Sequence, residues 1–178
     1  PWCRQAVTDE LPDTRADTNM AHTFTKLMYH VVFSTAGRRK WICADVKPRL
    51  IEFVGGVVRR RGGTLLAMNG TEDHVHLLIA LPAAKAVSEQ VRDIKALSSG
   101  WMSDRFPNLG QFRWQDGYSA FTVGQSMDRV KRYIANQEAH HRQTTFEEEL
   151  LALLDRAGIE YDPTWVFDGA TTTNDPAE

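Results

Sequence analysis

The stretch "GTEDHVHLLIAL", Gly70 to Leu81, decides the fold. Its second half is apolar enough for a buried strand, yet it carries His74 and His76, and Pro82 stops it. Side chains alternate across a strand, so His74 and His76 share one face, and Val75, Leu77 and Ile79 share the other. Just upstream, "TLLAMN" (64–69) also has strand composition, and the Gly-Thr-Glu-Asp segment between the two reads as a turn.

Working outward, "FTKLMYHVVFST" (24–35) reads as a strand and "AGRRKW" as a turn carrying Arg38 and Arg39. Leu50, Ile51, Val54, Val57 and Val58 recur at helical spacing, predicting a helix from about Asp45 to Arg61 that "RRRGG" closes. On the far side, Val91, Ile94, Leu97, Trp101 and Met102 make one apolar stripe of a helix over about 88–106. "FRWQDGYSAFTV" (112–123) reads as a strand pair, or as one strand bulged at Gly117. "SMDRVKRYIANQEAHH" (126–141) has a Ser126 cap and Asp128 in its first turn, and reads as one helix. "TFEEELLALLDRAG" (145–158), with its Thr cap and terminal Gly158, reads as an ordinary packed helix. The order βαββαβ followed by helices is an α+β, ferredoxin-like or RRM-like plan. It predicts an antiparallel sheet with helices on one face, the other face open for a ligand, and additional C-terminal helices.

At 178 residues and 42% hydrophobic content the chain suffices for one ordinary core. A formal net charge of -2 conceals acidic ends (9–17 and 147–178) around basic segments (38–61, 92–113 and 129–142), the pattern an anionic partner favours. Two cysteines, Cys3 and Cys43, build no disulfide framework or zinc pair, which suits a reducing cytoplasm. There is no apolar run of membrane-spanning length and no signal-peptide core, so a soluble, cytoplasmic protein is expected. Residues 1–19 are polar and aperiodic, and Met20 resembles a natural start.

The two imidazoles can converge on one ion. In the helix at 126–141, Tyr133 and Gln137 stand four apart on one face, and His140 and His141 continue that side. A Gln oxygen and two His nitrogens can hold Mg2+ or Mn2+ loosely, leaving positions open for a phosphate. A phenol one turn away could attack a phosphorus polarised by that ion. Glu138, His140 and His141 remain alternative ligands to Gln137.

"YHVVFST", "GTEDHVHLLIAL" and "VKRYIANQ", in this order, resemble the single-tyrosine, IS200-like transposases of small bacterial insertion sequences. These belong to the HUH endonuclease superfamily and are related to the REP-associated tyrosine transposases. The resemblance spans about residues 22–142, leaving 1–21 as an expected leader and 143–178 as a C-terminal helix and tail. It implies His74 and His76 as paired metal ligands, Gln137 as the third, and Tyr133 as nucleophile. The implied reaction cleaves single-stranded DNA at element-end hairpins through a covalent 5′-phosphotyrosine. The implied assembly is a homodimer in which Tyr133 acts in trans.

Arg38, Arg39, Arg92 and Lys95, together with Arg59 to Arg61, are the candidate DNA contacts; Trp101, Trp114 and Tyr118 are candidates to stack on bases. Two competing readings are a metal-dependent hydrolase, using His74, His76 and His140 or His141 with activated water, and a non-catalytic nucleic-acid-binding module of the same fold.

Overall fold

A computed structural model describes residues 24–124, 126–162 and 166–167, so the expected leader and the end of the tail lie outside it. Strand β1 is Leu27–Ser34, and helix α1 is Lys47–Arg60, with Pro48 in its first turn. The hairpin follows as β2 (Thr64–Gly70) and β3 (His74–Leu81), then α2 (Val87–Arg105) and β4 (Ser119–Thr122). Three C-terminal helices close the order: α3 (Met127–Ala135), α4 (Gln137–His140) and α5 (Phe146–Ala157). The sheet order is β2-β3-β1-β4, antiparallel at every pairing, as the ferredoxin-like plan requires.

Register fixes the two faces. Val32 opposes His76 and Ser34 opposes His74, so even-numbered β1 residues lie on the histidine face. Val31, Phe33, Val75, Leu77 and Ile79 point the other way, where they join Leu50, Val54, Val57 and Val58 of α1 and Val91, Ile94 and Met102 of α2 in the main core. On α2, Ser98 takes the buried position expected for Leu97, which is 44% exposed. Its hydroxyl donates to the Ile94 carbonyl at 2.6 Å and accepts from Trp114 Nε1 at 2.8 Å, so a polar side chain is fully satisfied there.

The expected open face is instead covered. Leu78 packs with Ile134 and Val123, while Val32 packs with Phe146, Leu150 and Leu154 of α5. Each such apolar side chain contributes roughly 1.5–3 kcal/mol when fully buried, enough together to hold α5 down over a face that also contains charge. The site therefore lies between sheet and helices rather than on an exposed sheet.

Three local readings change in detail. The 112–123 segment gives one strand plus an isolated bridge between Thr35 and Trp114; Gly117, at φ +74°, turns the loop between them. Ser126 makes no side-chain cap bond. The helix expected through His141 breaks at Asn136, where Asn69 Nδ2 of β2 donates to the Ala135 carbonyl at 3.1 Å and so competes for an acceptor of the helical ladder.

Gly70 sits where the hairpin closes most tightly. A Cβ there would lie 2.1 Å from the His74 carbonyl oxygen and 2.9 Å from Val75 Cα, both backbone atoms. Gly70→Ala must part β2 from β3, and a loss of about 3 kcal/mol is expected from such overpacking. The urea midpoint of the variant measures it.

Candidate active site

The hairpin turn holds His74 from behind. Arg38 donates to Asp73 Oδ2 through Nε at 3.1 Å and Nη2 at 2.8 Å, and Thr71 Oγ1 donates to Asp73 Oδ1 at 2.7 Å. Burial opposes ionisation of Asp73, but the hydrogen bonds from His74, Thr71 and Arg38 outweigh it and hold the carboxyl well below its usual range. His74 Nδ1 lies 2.8 Å from that carboxylate. Because its partner accepts, Nδ1 carries the proton, and the neutral ring's lone pair is on Nε2.

His141, just past α4, repeats the arrangement. Its Nδ1 donates to the Thr144 carbonyl at 2.9 Å, which turns Nε2 inward, 3.0 Å from Glu149 Oε2. The two Nε2 atoms are 3.0 Å apart. His76, fully buried, meets His30 Nε2 through Nδ1 at 3.0 Å and turns Nε2 toward the same point. Burial lowers the pKa of all three sheet histidines: His74 to about 4, His30 to about 3, and His76 in the same direction. The imidazoles are therefore held neutral, as ligands must be.

Glu149 of α5 is the fourth member. It is 3% exposed, and its Oε2 lies 3.0 Å from His141 Nε2, 3.2 Å from His76 Nε2 and 4.0 Å from His74 Nε2. His76 Nε2 is close to the carboxylate without hydrogen-bond geometry, which leaves it unpartnered. The other oxygen, Oε1, accepts from Gln137 Nε2 at 2.9 Å and from the Tyr133 hydroxyl. Burial would raise the Glu149 pKa, but the adjacent His76 ring and the hydrogen bonds from Tyr133 and Gln137 prevail and keep it well below the usual carboxylate range. Tyr133 responds oppositely: burial, and then the bond to and charge of Glu149, push its phenol well above the ordinary value.

Ligand atoms of His74, His76, His141 and Glu149 all lie within 4.8 Å of one another. Four donors about 2.1 Å from a single ion in a tetrahedral array stand roughly 3.4 Å apart, so the widest pair closes by roughly 1.4 Å when an ion gathers them. The buried His76 Nε2 and Gln137 Oε1 have no hydrogen-bond partner, and on this observation the residues present fit a divalent metal. His74 is reached from solvent through a cleft of about 310 Å³ lined by residues that include Arg38, His141 and Phe146.

The candidate residues divide clearly. His74, His76, Tyr133 and Gln137 are brought together; Gln137 is fully buried, and its Oε1 has no hydrogen-bond partner. Arg38 is committed to Asp73 and Glu147 and stacks over the Phe146 ring at 4.2 Å. Lys95 Nζ donates to the Gln115 and Gly117 carbonyls, each at 2.6 Å, and ties the loop before β4 to α2. Arg39 and Arg92 are exposed. Trp114 is buried, and Trp101 stacks on Phe53 with 4.8 Å between centroids. Sequence reasoning missed Glu149, Asp73 and His30. Glu149 left a signal: it falls on the stripe of Phe146, Leu150 and Leu154, where a carboxylate is out of place.

The family described as "Transposase IS200 like" matches residues 23–137, more than half of the chain. The chain belongs to that family. Among relatives of this IS200-like transposase, the transposase for insertion sequence element IS200 of Salmonella typhimurium is 27% identical over 130 residues, covering 68% of this chain and 83% of the relative. A crystal structure from Deinococcus radiodurans R1, of a protein assigned as a transposase, superposes with a TM-score of 0.54 at 25% identity, covering 66% of this chain and 95% of that one. A REP-associated tyrosine transposase bound to a REP hairpin shares the fold, with a TM-score of 0.52 at 17% identity over 68% of this chain and 72% of that one. Among the described residues, no helix is long and apolar enough to cross a membrane.

Proposed function

We propose that this IS200-like transposase cleaves and rejoins single-stranded DNA in the cytoplasm through a covalent 5′-phosphotyrosine on Tyr133. One observation carries the reading: the Tyr133 phenol is hydrogen-bonded to the carboxylate that faces three converging imidazole nitrogens. Tyr133 Oη forms a bond to phosphorus while the phosphorus–O3′ bond breaks. Glu149 Oε1 orients the phenol by accepting its hydrogen bond, and the proton that the phenol loses as its oxygen bonds to phosphorus is balanced by the one that the departing 3′ oxygen takes up. His74, His76 and Gln137 are the residues that the family resemblance assigns to a divalent ion, Mg2+ or Mn2+; when bound, that ion polarises the phosphate. Arg39 and Arg92, exposed on the surface, are the proposed phosphate contacts; Arg38 and Lys95 support them by fixing the loops. The hairpin held by the REP-associated neighbour supports a DNA hairpin as substrate. The test is incubation of the protein with labelled single strands from the flanks of its own gene, with and without a chelator. A protein–DNA adduct formed only with divalent ion is expected.

The three-imidazole cluster also suits the competing metal-dependent hydrolase. That reading predicts strand cleavage by water with no adduct. We propose a homodimer in which Tyr133 acts in trans, as the family resemblance implies; it requires α3 to reach a partner's histidines, while within one chain the Tyr133 ring stands 6.0 Å from its own His76 ring. Mixing Tyr133→Phe with a His74→Ala, His76→Ala double variant, each inactive alone, is therefore expected to recover adduct when differently tagged copies exchange. An exchanged mixture with no adduct would place the tyrosine in cis.

A further inference from the structure

Glu149 and His141 both lie beyond residues 23–137, the segment matched by the family, yet they supply half of the converging donor atoms. The two oxygens of Glu149 have different surroundings. Oε1 is satisfied by two donors, the Tyr133 hydroxyl and Gln137 Nε2. Oε2 faces His76 Nε2 at 3.2 Å and His141 Nε2 at 3.0 Å. The Nδ1 atoms of His74 and His141 are bound to the Asp73 carboxylate and the Thr144 carbonyl, which turns both Nε2 atoms inward. A buried carboxylate oxygen and three imidazole nitrogens within 4.8 Å of one another make a donor set for one cation, and the Asp73–His74 and Thr144–His141 pairs have the form of the outer contacts that orient metal-binding histidines.

We propose that His74, His76, His141 and Glu149 form a three-imidazole, one-carboxylate site for a transition ion of the zinc class, and that α5 is the element that closes it. The inference rests on the histidine pair being a metal site, as read above. Three nitrogens and one oxygen suit Zn2+ or Co2+, whereas Mg2+ prefers an all-oxygen shell. Gln137 is then a positioning residue: its Nε2 holds Oε1, and so aims Oε2 inward. Because Glu149 is on α5, docking of that helix and ion binding are linked, and each strengthens the other.

The test titrates metal-free protein with Co2+ and follows its visible absorption, with calorimetric titration of Zn2+ and Mg2+ alongside. Wild type is expected to show the intense bands of four-coordinate Co2+ and to prefer Zn2+ over Mg2+ by at least about 100-fold. Glu149→Gln and His141→Ala should each weaken Zn2+ binding by about 10- to 100-fold or more and alter the Co2+ spectrum; Gln137→Ala should do less. Amide exchange of residues 146–157 should slow on adding Zn2+ in wild type and remain unchanged in Glu149→Gln, a readout that needs no activity. Unfolding curves of the metal-free variants separate ligand loss from misfolding. If wild type binds Co2+ and Glu149→Gln binds it equally with the same spectrum, this inference is overturned and the histidine pair stands. If wild type binds none of the ions, both fall.

Discussion

Replacing Tyr133 by Phe is expected to abolish adduct formation and to lower strand cleavage by more than about 10⁴-fold, the scale seen when an enzyme loses its nucleophile. The substitution removes one atom from a half-buried ring. That ring packs edge-on against His30 and His76 at 6.0 Å between centroids, and Phe keeps those contacts. Glu149 loses one of two donors on Oε1 but keeps Gln137, so the stability cost stays near 1–3 kcal/mol, within what an ordinary domain tolerates. Affinity for single-stranded DNA should be unchanged, since it arises from exposed cations away from the phenol. Gel-resolved adduct formation and a binding titration on the same preparation separate these effects. Wild-type cleavage by Tyr133→Phe would support the hydrolase reading instead.

The second large effect is expected at the histidine pair. His74→Ala or His76→Ala should lower adduct formation by on the order of 10²–10³-fold, because electrostatic stabilisation by a bound ion contributes several kcal/mol to the barrier and each 1.36 kcal/mol is tenfold. The two variants should differ in stability. His74→Ala leaves Asp73 with Arg38 and Thr71 as partners, whereas His76→Ala leaves His30 Nε2 facing a void in a fully buried position. Excess Mn2+ is expected to restore part of the activity of Gln137→Ala but not of either His→Ala variant, since Gln137 positions Glu149 while each histidine supplies a ligand nitrogen. Initial rates across a Mn2+ titration check this order.

Elements set by local rules were legible in the sequence. Alternation alone put His74 and His76 on one face, and the Thr145–Glu148 capping box with Gly158 in the left-handed conformation marked both ends of α5. What escaped depends on contacts between distant segments. The break at Asn136 follows from Asn69 on β2, far back along the chain, and no pattern within 126–141 shows it. Arg38 and Lys95 looked like free cations because their partners, Asp73, Glu147 and the Gln115 and Gly117 carbonyls, are far along the chain. Glu149 was hidden by its neighbours: Glu147, Glu148 and Glu149 together read as first-turn acids that complement the helix dipole. Only its phase, in register with Phe146 and Leu150, separates the buried carboxylate from the two exposed ones.

The most direct measurement is the site of DNA attachment. Tyr133 begins a peptide that trypsin releases between Arg132 and Arg142, and the chain's other tyrosines, Tyr29, Tyr118 and Tyr161, fall in different peptides. After adduct formation, nuclease trimming and trypsin digestion, fragmentation mass spectrometry should find the residual 5′-phosphonucleotide on Tyr133 and on no other residue. Attachment at another side chain, or cleaved DNA with a free 5′ phosphate and an unmodified Tyr133 peptide, would contradict the account.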